Sequence, residues 1–508
     1  MLTTKVAQFM AAGLHSYSIV EEPGFLSLMH AAVPEYKVPS RATFSRSVMP
    51  ELYAKEKERI KVELRHHFNH GTPCYSVTTD GWSSRPGDSY VSFTCHLLDE
   101  EFNPHNYHLA CRHMPEGHTS ENLKDVLLDL AEEWGLPQGI PVFVITDNAR
   151  NFLGAALRTG WLSIQCFAHT LQLCINCAKR DTSNFEQLCI KARGIVGYYK
   201  RSSQARHRLK ELQTSMGLEP VEVIQDVVTR WNSEYAMMAR LLKLRRPISL
   251  DVSEQDTLED FTTTEWRLMT SVTLVLKCID DATRESCSEK HPTLSQVVPL
   301  VHCMQLLLTQ QARSRGEESV FAGNLLRAIK CRFGDIKLQV PYALSTALDP
   351  RYKAVCYDAT CEIQWLKSEL CSALEKSLPQ QSDEEERSVS SASAEAASPS
   401  SDVWSVFATL AGSNTAPTGS DRLKKEVEEY LRSPVQPRLD NPFLWWKNIG
   451  KAKYPSLSKV ARLYLSVPAT QVSSERLFST TGNVVTARRE HLLPENVEQL
   501  VFVHSNMR

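Results

Sequence analysis

The stretch from Tyr75 to Thr146 constrains the fold more than any other part of the sequence. Apolar and polar residues alternate through Tyr90 to Leu98, the period of a strand with one face buried. Tyr75 to Thr79 and Tyr107 to His113 are similar runs, set off by the turn residues Asp80-Gly81 and Asn103-Pro104. The pattern then becomes helical. Thr119 and Ser120 suit an N-cap, Leu123, Val126, Leu127 and Leu130 fall on one face, and Gly135 and Pro137 stop the helix. Pro141 to Thr146 follows as an unbroken apolar run ending at Asp147-Asn148. A run this short and turn-bounded reads as a buried strand, parallel to a neighbour because a helix precedes it. The order β-β-β-α-β-α predicts a mixed sheet with an antiparallel meander and a crossover.

Around this unit the patterning is helical. Residues 1–70 read as a helical N-terminal region and 71–178 as the sheet-bearing core. Residues 179–379 read as a helical domain, with amphipathic stretches such as Phe261 to Asp280 and Thr293 to Ala312. Residues 380–420 are acidic and Ser/Ala-rich, too poor in apolar side chains to offset chain entropy, and are expected to be a disordered linker. Residues 421–508 form a compact C-terminal unit, with aromatic weight in Phe443, Trp445 and Trp446. A hydrophobic content of 42% lets most of this length bury a core, and a net charge of -2 argues against binding polyanions with the whole surface. Any nucleic-acid contact is therefore local. No apolar run reaches the roughly 18 residues of a membrane span, so no membrane partner is expected. The 14 cysteines lack the spacing of a disulfide scaffold and read as free thiols in a reducing compartment.

Several residues carry potential chemistry. Asp80 and Asp147 each end a predicted strand, so on neighbouring strands both would project at the carboxyl edge, where α/β sheets bind ligands. Hard cations prefer carboxylate oxygen, and two metals about 3.5 to 4 Å apart can clamp an in-line phosphoryl displacement. The alternative for each aspartate is an ordinary turn residue. Glu475 follows Ser473 and Ser474, either of which can cap a helix, and an acid in a first turn is favourable without any catalytic role. Cys166, His169, Cys174 and Cys177 have a zinc-like spacing, but one apolar helix through Leu171 and Leu173 would keep them from converging. No zinc site is expected. Lys191 to Lys210 holds seven Lys/Arg, among them Lys200, Arg201, Arg206 and Arg208, and no acid, with Tyr198 and Tyr199 interleaved. It is either a solvated helix or a surface that neutralises phosphate and stacks on bases.

Seven motifs appear in order: TTDGWSS around Asp80, GHTSEN at Gly117 to Asn122, ITDNARNF around Asp147, CFAHTLQL from Cys166, TRWNSEY from Thr229, LDPRYK from Leu348, and SVPATQVSSERLFSTTGN around Glu475. Together they resemble the hAT family of DNA transposases and its domesticated BED-finger relatives, over the whole chain. The resemblance implies an α/β, RNase H-like core interrupted by a large helical insertion and completed by a C-terminal dimerisation region. It implies an acid triad of Asp80, Asp147 and Glu475 holding Mg²⁺ or Mn²⁺ if the chain is catalytic. Cys166 and His169 match a Cys-x-x-His motif that supports the site or contacts DNA, and Trp231 matches a tryptophan associated with the DNA end, the alternative being core packing. Phe443, Leu444, Trp445, Trp446, Leu500 and Phe502 are candidate contributors to a homodimer interface or to an intramolecular core. The departure from the family is that no cysteine precedes Cys74, so the usual BED-type zinc finger is expected to be missing. Two functions follow. One is a nuclear, dimerising protein that binds DNA or chromatin partners and regulates transcription; the other is a Mg²⁺-dependent transposase that cuts and joins strands. A scaffold without DNA contact is a third.

Overall fold

The computed structural model describes residues 1–72, 74–83, 87–227, 231–254, 258–288, 291–313, 318–377, 419–477 and 493–507. Its sheet is built from β1 (Tyr75–Thr78), β2 (Gly81–Ser83), β3 (Ser89–Leu98), β4 (Pro104–His113), β5 (Val142–Thr146) and β6 (Leu162–Gln165). β3 runs antiparallel to β1, β2 and β4, while β1, β5 and β6 are mutually parallel in that order. The meander and crossover required by the alternation are therefore present, and the expected helix spans Ser120–Glu133, capped by the Thr119 hydroxyl. β1 and β2 lie along one edge of β3 and are interrupted at Thr79-Asp80. Ser92 bridges the interruption, its N–H donating to the Asp80 carbonyl (3.0 Å) and its hydroxyl accepting from the Asp80 N–H (3.1 Å). β6 is too short to be read from its pattern: Leu162 and Ile164 alternate with polar residues, but the run has four residues and only Ile164 is buried.

Alternation along β5 divides the interior. Phe143 and Ile145 face a core shared with the helices Phe167–Arg180, Phe185–Arg201, Trp231–Lys243, Thr263–Ser286, Val297–Ala312 and Glu318–Phe333. Val142 and Val144 face a second core with the helices Leu2–Ala12, Met49–Asn69, Ser120–Glu133 and Pro494–Asn506. Each fully buried aliphatic side chain contributes roughly 1.5–3 kcal/mol, so the sheet is held by helices from both sides. In the first helix Val6, Ala7, Met10 and Ala11 form the buried stripe, while Phe9 is exposed.

A third core joins the helices Val340–Leu348, Thr360–Ser377, Gly419–Arg432 and Pro455–Leu465 around Tyr430 and Trp446. The LDPRYK motif lies at its centre. The Arg351 guanidinium donates twice to the buried Asp349 carboxylate, at 2.9 and 2.7 Å, and the Trp446 indole N–H donates to the Leu348 carbonyl (2.8 Å). The Lys353 ammonium donates to the carbonyls of Tyr430 (2.9 Å), Ser433 (2.8 Å) and Pro434 (3.1 Å), closing the C-terminal end of Gly419–Arg432. Phe443, Trp446, Leu500 and Phe502 are consumed by the intramolecular core, whereas Leu444 is exposed and Trp445 half-buried. The segment expected to be a disordered linker lies outside the described residues up to position 418, and a helix already begins at Gly419.

Candidate functional site

Strand register brings the two aspartates together. In the parallel pair of β1 and β5, Thr78 stands opposite Ile145, and the Thr79 N–H donates to the Ile145 carbonyl (3.2 Å). Asp80 is two residues past Thr78 and Asp147 two residues past Ile145. Both therefore leave the carboxyl ends of adjacent strands, which in sheets lie about 4.8 Å apart. One oxygen of each is held by local backbone: Asp80 Oδ1 accepts from the Gly81 N–H (2.8 Å) and Asp147 Oδ1 from the Ala149 N–H (3.0 Å). Gly81 lets two rings approach the strand end closely: a Cβ there would lie 3.2 Å from both the His118 and Phe152 rings, which would have to give by a few tenths of an ångström.

Glu475 arrives from the far end of the chain in a helix described over residues 472–477. The segment leading to it is fixed on the parallel side of the sheet: the Phe167 N–H donates to the Ala469 carbonyl (2.9 Å), and Cys166 Sγ accepts from the Gln471 N–H (3.5 Å). The first turn of the helix is fixed on β1, where Thr78 Oγ1 lies 2.9 Å from Ser473 Oγ and accepts from the Ser474 hydroxyl (3.3 Å). Thus the strand that ends at Asp80 and the helix that carries Glu475 share a hydrogen-bonded joint.

The charges confirm the shared neighbourhood of the acids. Burial pushes the Asp80 carboxyl up to about 7, the Asp147 charge adds to the rise, the Gly81 N–H opposes it, and the Glu475 charge contributes a further, smaller rise. Among the described residues no three His, Cys, Asp or Glu side chains form a ready-made metal cage. The oxygen-rich surroundings nevertheless suit a hard cation. Buried polar atoms without a hydrogen-bond partner belong to chain neighbours of the acids or to a ring against Gly81: Thr79 Oγ1 before Asp80, His118 Nε2 on the ring that meets Gly81, Asn148 Oδ1 after Asp147, and Gln471 Oε1 four residues before Glu475. Two crowded carboxylates with unused amide and hydroxyl oxygens are a donor set that fits Mg²⁺ or Mn²⁺.

The other candidate residues are placed differently. Cys166 is the N-cap of Phe167–Arg180, buried and pushed up to about 12 by that burial, so its role here is to hold Gln471; His169 is half-buried in the next turn. Cys174 and Cys177 lie further along the same helix, the first buried. Trp231 is closed into the helical core, its backbone N–H bonded to Gln172 Oε1 (3.0 Å) and its ring beside Tyr235, so it presents no free face for a base in this conformation.

The basic stretch splits into two sets. Lys191 pairs with Glu265, and Arg193 with Asp226 and Glu234. Arg208 pairs with the buried Asp251 (2.9 Å), which also accepts from the Tyr199 hydroxyl (2.8 Å), so Arg208 is committed to the fold. Lys200 has only an open pairing with Glu222 at 3.6 Å. Arg201, Arg206 and Lys210 are exposed and, among the described residues, have no carboxylate partner. Sequence reasoning did not single out His118, Thr78 or Ser473 and Ser474 as a group. The signal for His118 was its place in GHTSEN, immediately before the capping threonine.

Comparison with known proteins covers each of these parts. Residues 78–159 match the ZBED1 RNase-like domain, 164–275 the ZBED1 RNase-like helical domain, and 426–507 the hAT family C-terminal dimerisation region. The first match contains Asp80 and Asp147, the last Glu475. Human zinc finger BED domain-containing protein 4 is 29% identical across the whole chain, which covers 43% of that protein. Mouse zinc finger BED domain-containing protein 6 is 25% identical, with 100% of this chain and 55% of that protein aligned. A protein of Talaromyces stipitatus named as a candidate transcriptional regulator, tpeD, is 25% identical over 98% of this chain and 61% of its own length. The chain thus spans about half the length of the curated relatives it matches.

Proposed function

Because the chain is a ZBED-like protein related to the hAT family, we propose that it acts in the nucleus as a homodimer that binds DNA and regulates transcription, alone or with chromatin partners. The observation that carries this reading is the exposed cationic face of Arg201, Arg206 and Lys210 on a chain whose residues 426–507 match a dimerisation region. Two such faces per dimer can each neutralise phosphates, and the sequence-independent attraction they supply weakens as salt rises, because releasing condensed counterions then gains less. Fluorescence anisotropy with a labelled duplex over a range of salt concentrations tests it. Replacing Arg201, Arg206 and Lys210 together by Gln should weaken binding and lower the salt slope by about 0.9 for each phosphate no longer neutralised. An unchanged slope would refute this surface as the DNA contact.

The register of Asp80 with Asp147, and their crowding beside Glu475, favours a second reading: metal-dependent cutting and joining of DNA strands in an RNase H-like site. A divalent cation bound there would stabilise charge on the attacking and leaving oxygens. Asp80 and Asp147 would hold it from the strand ends, with Glu475 as the third acid, and Gly81 lets the His118 ring close over the first strand end. Purified protein with Mn²⁺ and duplex DNA should then nick it, and Asp147→Asn should abolish nicking, since the amide keeps the shape and loses the charge. Nicking that survives Asp147→Asn would point to a contaminant and end this reading.

A further inference from the structure

We propose that His96 is a positioning residue for the acid site, acting through Thr78 on the helix that presents Glu475; this rests on the metal-site reading of the three acids but makes a separate structural claim. His96 lies in β3, the strand paired with β1, and it is buried together with Thr78, Ser473 and Ser474. Its Nδ1 lies 2.7 Å from Asn106 Oδ1 in β4. An amide oxygen can only accept, so Nδ1 carries the proton and Nε2 is bare. Nε2 lies 3.0 Å from Thr78 Oγ1 and must therefore accept from the threonine hydroxyl. With its proton committed to His96, Thr78 Oγ1 is left as an acceptor, and both helix-472–477 hydroxyls donate to it: Ser473 at 2.9 Å and Ser474 at 3.3 Å.

Every hydrogen bond in this relay thus has one direction, set at Asn106 and propagated to the first turn of the Glu475 helix. The consequence is geometric. Thr78 is two residues before Asp80, and the two serines immediately precede Glu475. A neutral imidazole of fixed tautomer therefore joins the strand of the first acid to the helix of the third. Burial keeps it neutral: His96 is driven down to about 4. Thr78 with no acceptor at His96 would have to turn its hydroxyl, and a buried hydroxyl in competition with two donors forfeits its bond to one of them. A core histidine serving packing alone would not specify this direction.

The test is hydrogen exchange of the backbone amides in 472–477 of the full chain, read beside Mn²⁺ titration by calorimetry. His96→Leu, which removes the acceptor, should speed exchange of those amides by at least about tenfold while β1 and β5 remain protected, and His96→Gln, which restores an acceptor, should return it towards wild type. Thr78→Val, nearly isosteric, should behave as His96→Leu does and carries the test if that variant does not fold. Mn²⁺ affinity should fall in the same variants. Exchange of 472–477 that is unchanged in Thr78→Val, or faster to the same extent throughout the sheet, overturns the proposal. Wild type that takes up no Mn²⁺ while the exchange result holds would overturn the metal-site reading and leave the joint standing as a structural device.

Discussion

At Asp80 the fold holds a carboxylate where burial and the neighbouring Asp147 and Glu475 charges outweigh the Gly81 N–H that favours its ionised form. Between about pH 4, where the unfolded chain loses this proton, and about 7, where the folded chain does, the native state binds more protons than the unfolded state. Stability contributed at this position therefore falls as pH rises through that window, and the full cost is present above it. Asp80→Asn removes the charge and should stabilise the metal-free protein at pH 8 by about 1–3 kcal/mol, with the difference vanishing towards pH 4. Thermal melts at the two pH values measure this, and a lower melting temperature for Asp80→Asn at pH 8 would mean that the charge is satisfied within the fold. The same crowding makes a ligand effect testable. Mg²⁺ or Mn²⁺ in the millimolar range should raise the melting temperature of the wild type and leave Asp147→Asn unmoved, because only a native-state site is stabilised by mass action.

The elements explain which of these residues could be found from sequence. β1, β3, β4, β5 and the helix Ser120–Glu133 were legible because alternation, an unbroken apolar run and a capping threonine are local signals. The register that aligns Asp80 with Asp147 was only implied, since pairing depends on the crossover that intervenes. Glu475 could not be joined to them by spacing at all and entered through its motif, because a helical domain separates them in the chain. Charge counting failed for Arg208 for a related reason: its partners, Asp251 and Tyr198, lie on two other helices, so composition cannot distinguish it from the exposed Arg206. LDPRYK was visible as a motif, whereas its work was not. Lys353, at φ 47°, is held in a left-handed backbone conformation by the carbonyls it caps. Lys353→Met would remove the charged donor that joins the Tyr430, Ser433 and Pro434 carbonyls and should cost about 1.5–3 kcal/mol in urea unfolding, the range for hydrogen bonds to a charged group. Proteolysis should become faster within Gly419–Arg432 in that variant, and a change confined to the surface-pair range of about 1 kcal/mol or less would show that the cap contributes little.

For the whole molecule, three cores meet around one sheet, and the C-terminal region serves all of them: Val467 and Ala469 enter the first, Pro494–Asn506 covers the face of the second, and Trp446 and Pro455–Leu465 close the third. A region so engaged within its own chain has limited apolar surface left for a partner. Among the described residues that remainder is Val435, Leu439, Leu444, Ile449, Leu493 and the outer part of Trp445; Leu444, Trp445 and Ile449 are neighbours in the chain, and an aromatic group with aliphatic neighbours suits an interface centre. Replacing Leu444 and Ile449 by Asp should therefore dissociate the dimer without unfolding it. Among the described residues no helix is long and apolar enough to cross a membrane. Sedimentation velocity of the intact chain with a fluorescent duplex measures assembly and DNA binding at once. The account predicts that the labelled DNA moves with two chains, twice 57.4 kDa of protein, and is released as salt rises. A chain that sediments as a monomer at micromolar concentration while the DNA stays free at low salt would contradict it.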